Sequence, residues 1–362
     1  MADIASLINQ ARADGTLIRL ARNVLAQFGR PQRRYLGAEL LPERMVEENQ
    51  YTEDSIRYRT VVANGGTRYG PAQKKGGDLI GTFDVKLANS DIARELSGRD
   101  YDILLRHLER NASMEAIAAL TSWAETTLNL SLIETNEAWR WQAIVDASVI
   151  IEGDNAFRKP VALTNPAGHR VNVAGDWADD AYDPFEDIYA MADLLQSKGY
   201  TVGRIITGTP VLTKMARNAK VASRTSHFVT NNGGSLELMA GRASLMGVNM
   251  ALQMDGLPPI ERYDLRYRTQ TGDTRFLHAQ AFVMVALTGR NEELDVPDAE
   301  QSLITDTLGY TAVGRAAGQS ESGRVIHTEF KSNKPPRIEG EAWQTSFPVI
   351  TEPEAIGVLK NI

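Results

Sequence analysis

Residues 51–92, YTEDSIRYRTVVANGGTRYGPAQKKGGDLIGTFDVKLANSDI, contain two alternating stretches joined by a glycine-rich one. Apolar or β-forming side chains alternate with polar ones over residues 56–62 and again over residues 79–87, which predicts two strands. Between them, residues 64–77 contain five glycines and one proline, a composition that favours a flexible turn. The sequence therefore predicts a β-hairpin with a glycine-rich tip.

This hairpin needs a surface to pack on. Strands of about nine residues reach about 30 Å, and an isolated two-stranded hairpin is only marginally stable in water. One interpretation is an ordinary hairpin that lies on its own parent sheet. The other is an arm that projects onto a neighbouring subunit, and the pattern leaves both open.

The longest predicted helix lies in residues 99–152, which contain neither glycine nor proline. Apolar residues recur at helical spacing from about Ser113 to Ile150, and at 1.5 Å per residue this helix would be about 55 Å long. A shorter helix is expected at residues 101–109. Residues 4–28 also show a helical period and carry several arginines, so they are either an amphipathic helix packed on its own domain or an arm that meets a neighbour or nucleic acid.

The remaining segments alternate between helix and strand patterns. Asp183 is expected to cap a helix over residues 183–199, and Thr209 to cap a shorter one over residues 211–218. The other expected elements are a hairpin over residues 157–174 and strands at 203–207, 248–254, 276–287 and 337–350. This order predicts a mixed α/β protein.

Composition excludes several classes of function. The 362-residue chain has no cysteine, which rules out disulfides, thiolate metal sites and a cysteine nucleophile. Its net charge of -7 argues against a protein that coats nucleic acid with its whole surface. No apolar run is long enough to span a bilayer, and the N-terminus lacks the basic region of a secretory signal. We therefore expect a soluble protein of a reducing, cytosolic compartment, without a membrane partner.

Motifs of catalysis and ligand binding are missing from the sequence. It has no phosphate-binding loop, no Gly-x-Ser-x-Gly elbow, and no two of its five histidines at zinc spacing. An acidic cluster between Asp176 and Asp187 lacks the spacing of a calcium loop and is interpreted as a solvated loop that leads into a helix cap. We expect no catalytic residue, no metal and no cofactor, and hence a building block rather than an enzyme.

A resemblance to a known family is carried by residues 175–190. GDW at 175–177, followed by DPFEDIYA at 183–190, resembles the start of the axial-domain helix in lambda-like major capsid proteins, the capsid protein E family of tailed phages. In chain order, the hairpin, the long helix, GRIITGTPVL at 203–212 and the strands at 339–350 resemble the extended loop, spine helix, axial strand and returning peripheral strands of that family. The resemblance implies an α+β chain with the Hong Kong 97 capsid fold.

The resemblance also implies a domain order and a function. It predicts an N-terminal arm, an extended loop, a peripheral domain with the spine helix, an axial domain, and C-terminal strands that return to the peripheral domain; these are residues 1–50, 51–92, 93–182, 183–325 and 326–362, respectively. The implied function is that of a major capsid protein, which assembles in the host cytoplasm into hexamers and pentamers of an icosahedral head. That head, the virion capsid, encloses double-stranded DNA.

The implied partners are other copies of the chain, a portal protein, a decoration protein and packaged DNA held without sequence specificity. Only about fifty residues precede the loop, so a separate scaffolding protein is expected rather than a cleaved scaffold domain. Contacts between subunits are expected from charged and aromatic side chains of the loop and of the segment before it: Arg57, Arg59, Arg68, Tyr69, Lys74, Lys75, Glu48, Glu53 and Asp54.

Two other functions stay open at this level. An encapsulin-type nanocompartment shell shares the fold but encloses enzyme cargo. A soluble α/β enzyme would be a compact monomer with a small-molecule ligand. Particles that contain DNA and a portal would distinguish the capsid protein from both.

Overall fold

The computed structural model describes residues 34–57, 79–96, 98, 102, 106, 113–152, 158–225, 228–230, 236–238, 244–269, 272–287, 308–331 and 337–362. The predicted helix at 4–28, most of that at 101–109 and the glycine-rich tip lie outside these residues. The helices are α1 (Leu36–Leu40), α2 (Ser113–Ala124), α3 (Leu130–Asp146), α4 (Pro184–Ser197), α5 (Thr209–Arg217), α6 (Ala219–Arg224) and α7 (Leu245–Met254), with a π-helical turn at Glu125–Asn129 and a 3-10 turn at Pro353–Ala355.

The strands are short except for one near the C-terminus. They are β1 (Glu43–Met45), β2 (Gln50–Arg57), β3 (Leu79–Lys86), β4 (Ala88–Leu96), β5 (Ser148–Glu152), β6 (Arg158–Ala162), β7 (Arg170–Asn172), β8 (Thr201–Thr207), β9 (Phe228–Thr230), β10 (Leu236–Leu238), β11 (Ile260–Arg262), β12 (Arg266–Thr269), β13 (Gly272–Arg275), β14 (Phe282–Leu287), β15 (Gly309–Val313), β16 (Val325–Lys331), β17 (Arg337–Ile350) and β18 (Ile356–Lys360).

The long strand β17 organises a five-stranded sheet, which we call the β17 sheet. β17 pairs antiparallel with β4, β15 and β16, and β1 adds parallel to β15. The helix formed by α2, the π-helical turn and α3 packs on this sheet, and the turn meets β17 at Gly340. A Cβ at Gly340 would lie 2.7 Å from the Trp123 ring and 2.8 Å from a Leu128 methyl. Only glycine lets the helix approach the strand so closely.

A second five-stranded sheet, the β14 sheet, has the order β11-β8-β14-β18-β7. β14 runs antiparallel to both of its neighbours, and the other four strands run in one direction. α4 covers one face, where Leu195 packs with Ile205 and Phe282. α1 and α3 cover the other face, where Leu40 and Trp141 pack. Burial on both faces explains the continuous apolar run of β14.

The predicted hairpin is confirmed within the described residues, although its first strand, expected from residue 56, already begins at Gln50. β2 and β3 pair antiparallel, from Gln50 opposite Lys86 to Arg57 opposite Leu79. At the base of the hairpin, the Tyr51 and Tyr310 hydroxyls are 2.8 Å apart. The base of the hairpin is thus bonded to β15 of the β17 sheet.

The helix over residues 183–199 is also confirmed. It spans Pro184–Ser197, and the Asp183 carboxylate accepts a hydrogen bond from the Phe185 N–H at 3.1 Å. The predicted cap at Thr209 is wrong by one residue, because Gly208 takes the extended cap conformation and Thr209 is the first residue of α5.

Two other predictions are corrected along the chain. The long helix ends at Asp146 rather than Ile150, because Ala147 adopts a left-handed conformation with φ of 49° and β5 begins at the next residue, Ser148. β-branched residues dominate β5, and they favour a strand. Residues 248–254 belong to helix α7 and not to a strand; Ser244 caps this helix by accepting the Gly247 N–H at 3.1 Å.

Strand partners differ from the expected ones. Residues 157–174 do not form a hairpin, because β6 pairs with β5 whereas β7 pairs with β18 in the β14 sheet. β18 was expected to return with β16 and β17, but it belongs to the β14 sheet and not to the β17 sheet. Conversely, β15 lies within residues 183–325, which were assigned to the axial domain, and it joins the β17 sheet. The strand expected from residue 276 begins at Phe282. In the described part of the chain, no helix is both long and apolar enough to cross a membrane.

Candidate subunit-contact surfaces

A buried carboxylate, Glu137 of α3, connects the two sheets. Its Oε1 atom accepts hydrogen bonds from the Gly37 N–H at 2.9 Å, the Trp141 indole N–H at 2.8 Å and the Tyr263 hydroxyl at 2.7 Å. A Cβ at position 37 would lie 2.8 Å from this carboxylate, so the contact with the backbone requires glycine. Burial, and next the Glu137 charge, raise the pKa of Tyr263, which keeps its hydroxyl protonated as a donor.

The Arg140 guanidinium extends this cluster into the β17 sheet. It lies 3.4 Å from Glu137, donates to the Thr311 hydroxyl at 2.7 Å, and reaches Glu43 at 3.3 Å. Both Glu137 and Arg140 are fully buried. Because every charged group in the pair has hydrogen-bond partners, the cluster fits an architectural role, and it presents no charge to a ligand.

Asn218 holds in place the loop between the two parts of the family-like motif, GDW at 175–177 and DPFEDIYA at 183–190. The Asn218 amide donates to the backbone oxygens of Trp177, Asp179 and Tyr182 at 3.2, 2.7 and 2.8 Å. Its side-chain oxygen accepts the Val221 N–H at 3.0 Å, which caps α6. Both the amide nitrogen and the amide oxygen of the buried Asn218 therefore have hydrogen-bond partners. An asparagine fits this position because its side chain is both a donor and an acceptor. The Trp177 indole donates to Asp187 of α4 at 2.8 Å, so the loop is also tied to the helix.

The predicted contact residues are only partly described. Glu48 is exposed just before β2. Glu53, Asp54 and Arg57 lie in β2, opposite Phe83, Thr82 and Leu79 of β3. The other predicted contact residues lie outside the described residues. They are the cationic and aromatic residues of the loop, Arg59, Arg68, Tyr69, Lys74 and Lys75.

Sequence reasoning missed an exposed apolar surface on α7. Met246 is 73% exposed and Met254 is 81% exposed, while Val248 and Leu252 on the other side of the helix are buried. The signal was available in the sequence as methionines at positions 246, 250 and 254, one helical turn apart, but it is visible only once this segment is recognised as a helix.

Sequence reasoning also missed a basic segment, whereas it had identified the acidic loop. The hairpin β12–β13 presents Arg266 and Arg268 to solvent, close in sequence to the exposed Arg262 at the end of β11. The loop after β7 presents Asp176, Asp179 and Asp180. Within the described residues, no three His, Asp or Glu side chains are grouped as they would be around a metal ion.

Comparison with known proteins agrees with these observations. Residues 98–299, more than half of the chain, match the family model of phage major capsid protein E. No curated protein matches the sequence. The structure is similar to that of a putative prophage capsid protein from E. coli CFT073, with 14% identity, a TM-score of 0.51, and coverage of 78% of this chain and 79% of that one. This likeness supports a mixed α/β capsid-like fold.

Weaker structural likenesses accompany it. A phage-related protein from Bordetella bronchiseptica RB50 has 13% identity and a TM-score of 0.47, with 96% of each chain covered. The encapsulin of the holo-SrpI complex from Synechococcus elongatus PCC 7942 has 9% identity and a TM-score of 0.43, with 92% of this chain and 89% of that chain covered.

The family match spans the long helix, the loop held by Asn218 and the β14 sheet as far as β14 itself. By that match the chain belongs to the phage major capsid protein E family: it is a structural, shell-forming protein of the phage virion.

Proposed function

We propose that this chain is the major subunit of an icosahedral phage head with the Hong Kong 97 fold. Copies assemble into hexamers and pentamers that enclose double-stranded DNA. Membership of the family supports a self-associating shell protein. The particular architecture is supported best by one observation, the two-stranded hairpin β2–β3.

This hairpin is poorly suited to stand alone. Among the residues that the structure describes, β2 and β3 pair with each other alone and form a two-stranded sheet. Contacts at its base involve Tyr51, Val85 and Leu87, which pack with residues of the β17 sheet. Because two-stranded sheets are marginal in water, the outer part of the hairpin needs a surface, and a neighbouring copy supplies it. This is the role of an extended loop in a shell.

The domain order follows from the same proposal. An N-terminal arm, the extended loop, a peripheral domain, an axial domain and C-terminal strands occupy residues 1–50, 51–92, 93–182, 183–325 and 326–362. The β14 sheet is then the core of the axial domain, and the β17 sheet that of the peripheral domain. On this assignment, β7, β15 and β18 each join the sheet of the other domain.

The proposed contacts of the loop are ionic. Arg57, Arg59 and Arg68 pair with acidic residues such as Glu48, Glu53 and Asp54 of neighbouring copies, and Tyr69, Lys74 and Lys75 add contacts at the tip. Such pairs contribute modestly one by one, so they allow the same chain to fit hexamers and pentamers. A portal protein, a separate scaffolding protein and a decoration protein complete the head. The chain acts without catalysis and assembles in the host cytoplasm.

Electron microscopy of the full-length chain, expressed with and without the phage scaffolding protein, tests the proposal. Closed icosahedral particles are expected, and in an infection they contain DNA and a portal. Particles that hold enzyme cargo and lack a portal would indicate an encapsulin-type compartment instead. A well-folded monomer in light scattering, with the hairpin packed on its own body, would overturn the shell assignment.

Charge reversal in the loop tests the proposed contacts. Arg68→Glu is expected to reduce the yield of particles strongly, because it replaces attraction with repulsion between copies. Lys159→Glu, an exposed reversal on β6, serves as the matched control and leaves assembly intact. Normal particles from Arg68→Glu would contradict the assignment of Arg68.

A further inference from the structure

We propose that Asn49 sets the direction in which the hairpin β2–β3 leaves the subunit, by fixing the base of the hairpin to the loop that joins β15 and β16. We call this loop, residues 314–324, the β15–β16 loop. The inference rests on the proposed function, in which the hairpin reaches a neighbouring copy, and it assigns a positioning residue to that reach. Asn49 is not among the contact residues expected from the sequence.

The side chain of Asn49, directly before β2, binds the backbone of Arg315 at two points. Its oxygen accepts the Arg315 N–H at 2.8 Å, and its amide group donates to the Arg315 carbonyl at 2.9 Å. An asparagine side chain can make both bonds, because it carries a donor and an acceptor side by side. Paired bonds of this kind hold two segments in one orientation, as a hydrogen-bonded residue pair does in a sheet.

Asn49 also joins the two strands at the base of the hairpin. The N–H of Leu87, the residue directly after β3, donates to the Asn49 carbonyl at 3.0 Å. β2 begins at the next residue, Gln50, opposite Lys86. Both strands therefore meet the body of the subunit at a point that Asn49 connects to the β15–β16 loop.

The β15–β16 loop has room for Asn49 because of a glycine. A Cβ at Gly314 would overlap the Asn49 side-chain oxygen and would lie 2.5 Å from a Leu87 methyl group. The Gly314 N–H donates to the Thr345 carbonyl of β17 at 2.9 Å, so the loop is itself fixed to the sheet. Only glycine lets the base of the hairpin approach the sheet this closely.

Two further contacts hold the segment that leads into the hairpin. Arg324 forms an ion pair with Glu43, and the Ser322 hydroxyl donates to the Val46 carbonyl. Together with Asn49, these contacts recur at every third residue of the segment, and all of them reach the β15–β16 loop. A segment that is held at three points has a fixed direction, whereas a segment held at one point could rotate.

The length of the hairpin makes the direction at its base important. The described part of β2, Gln50–Arg57, is about 23 Å long. A rotation of about 10° at the base would therefore move its far end by about 4 Å. Hydrogen bonds to a neighbouring copy tolerate only a fraction of that displacement. A hairpin that is to meet the same surface in every copy thus needs a fixed base.

Burial does not account for the contacts of Asn49. Both Asn49 and Arg315 are exposed. Substitution of an exposed residue usually changes global stability little. The two bonds to Arg315 therefore serve the direction of the hairpin rather than the folding of the subunit.

Amide hydrogen exchange of the unassembled chain tests this role. Asn49→Ala removes both bonds to Arg315 and is expected to raise the exchange rate of the Leu87 N–H by roughly tenfold, because the base of the hairpin then opens locally. Exchange of the Ala342 N–H, in β17 between β4 and β16, is expected to stay unchanged. Asn89→Ala, at an exposed asparagine of β4, is the matched control and is expected to change neither rate.

Two results of this experiment would overturn the proposal. Equal increases at Leu87 and Ala342 would show that Asn49 stabilises the whole subunit and does not act on the hairpin alone. No increase at Leu87 would show that the bonds to Arg315 do not hold the base.

Distances between spin labels measure the direction of the hairpin itself. Since the chain has no cysteine, Ser55→Cys on β2 and Glu341→Cys on β17 provide the only two labelling sites. The doubly labelled chain is expected to give one narrow distribution of distances. Adding Asn49→Ala is expected to broaden it by about 3 Å for each 10° of rotation freed at the base. An unchanged distribution would overturn the assignment of Asn49.

The inference and the proposed function fail separately, because both measurements use the unassembled chain. If the hairpin is loosened in Asn49→Ala but the parent chain never forms particles, the shell function is overturned and the role of Asn49 in directing the hairpin is supported. If the parent chain forms particles but Asn49→Ala changes neither exchange nor distances, the role of Asn49 is overturned and the shell function is supported. When both hold, Asn49→Ala lowers the fraction of closed particles seen by electron microscopy.

Discussion

The two five-stranded sheets are held in place by different forces. The β14 sheet is buried on both faces by apolar residues, such as Phe282 toward α4 and Val283 toward α3. The junction between α3, the β17 sheet and the β14 sheet contains the buried charges Glu137 and Arg140. Apolar packing tolerates many residues of similar volume, whereas a buried charge requires each partner at its own position. The comparison indicates that packing stabilises the sheets and that the polar cluster sets how they align.

The largest loss of stability is expected from Glu137→Ala. The substitution removes one of the two carboxylates that Arg140 contacts, the fully buried one, and it removes the acceptor of the Gly37, Trp141 and Tyr263 donors. Removal of one partner from a buried pair costs about 3–5 kcal/mol of the free energy of unfolding. Urea denaturation of the unassembled chain measures the loss. Asp193→Ala, exposed on α4, is the control and is expected to change stability by less than about 0.5 kcal/mol. A loss for Glu137→Ala as small as that of the control would contradict the role of the cluster.

A smaller loss of stability is expected from a substitution in the β14 sheet. Ile205→Val removes one methylene group from a fully buried position of β8 and is expected to cost about 1 kcal/mol. The neighbouring side chains of α4 and β14 fill part of the space that is left. The same urea experiment measures it. If Ile205→Val cost as much as Glu137→Ala, the distinction between tolerant packing and exacting polar contacts would be lost.

The smallest change in stability is expected at alkaline pH. It comes from the contact between Tyr189 of α4 and Asp255 at the end of α7. Burial, and next a hydrogen bond to Asp255, raise the pKa of Tyr189 to about 12. The unfolded chain releases this proton near pH 10, and the folded chain keeps it until about pH 12. The contribution of Tyr189 is therefore complete below pH 10 and is lost as the pH rises to 12.

The variant Tyr189→Phe isolates this contribution. Its melting temperature is expected to fall less steeply than that of the parent chain between pH 10 and 12, since the other tyrosines with a raised pKa are common to both. Parallel melting curves over this range would show that the Tyr189–Asp255 contact does not affect folding.

Sequence patterns predicted the elements whose cause is local. The alternation over residues 79–87 predicted β3, and Asp183 predicted the start of α4, because a period of two and a helix cap depend on residues close in sequence. Residues 248–254 were misassigned, since a short apolar run has the same pattern in a buried strand and in a helix. The Ser244 cap was the local signal that separates the two.

The contact surfaces were less accessible to sequence reasoning. The loop arginines were identifiable from their pattern, and Met246 and Met254 were not, because an exposed and a buried methionine look identical in a sequence. Only the packing of Val248 and Leu252 toward the core establishes which side of α7 remains outside.

By itself, the sequence determined the family, the hairpin, the long helix and the absence of cysteine chemistry. Only the tertiary structure decided that β7 pairs with β18, that β15 joins β17, and that Glu137 meets Gly37 and Tyr263, which are 100 and 126 positions away. The reason is physical. A local pattern states that a strand or a buried carboxylate needs partners, but it carries no information about which distant segment supplies them, because that choice depends on how the whole chain closes around its cores.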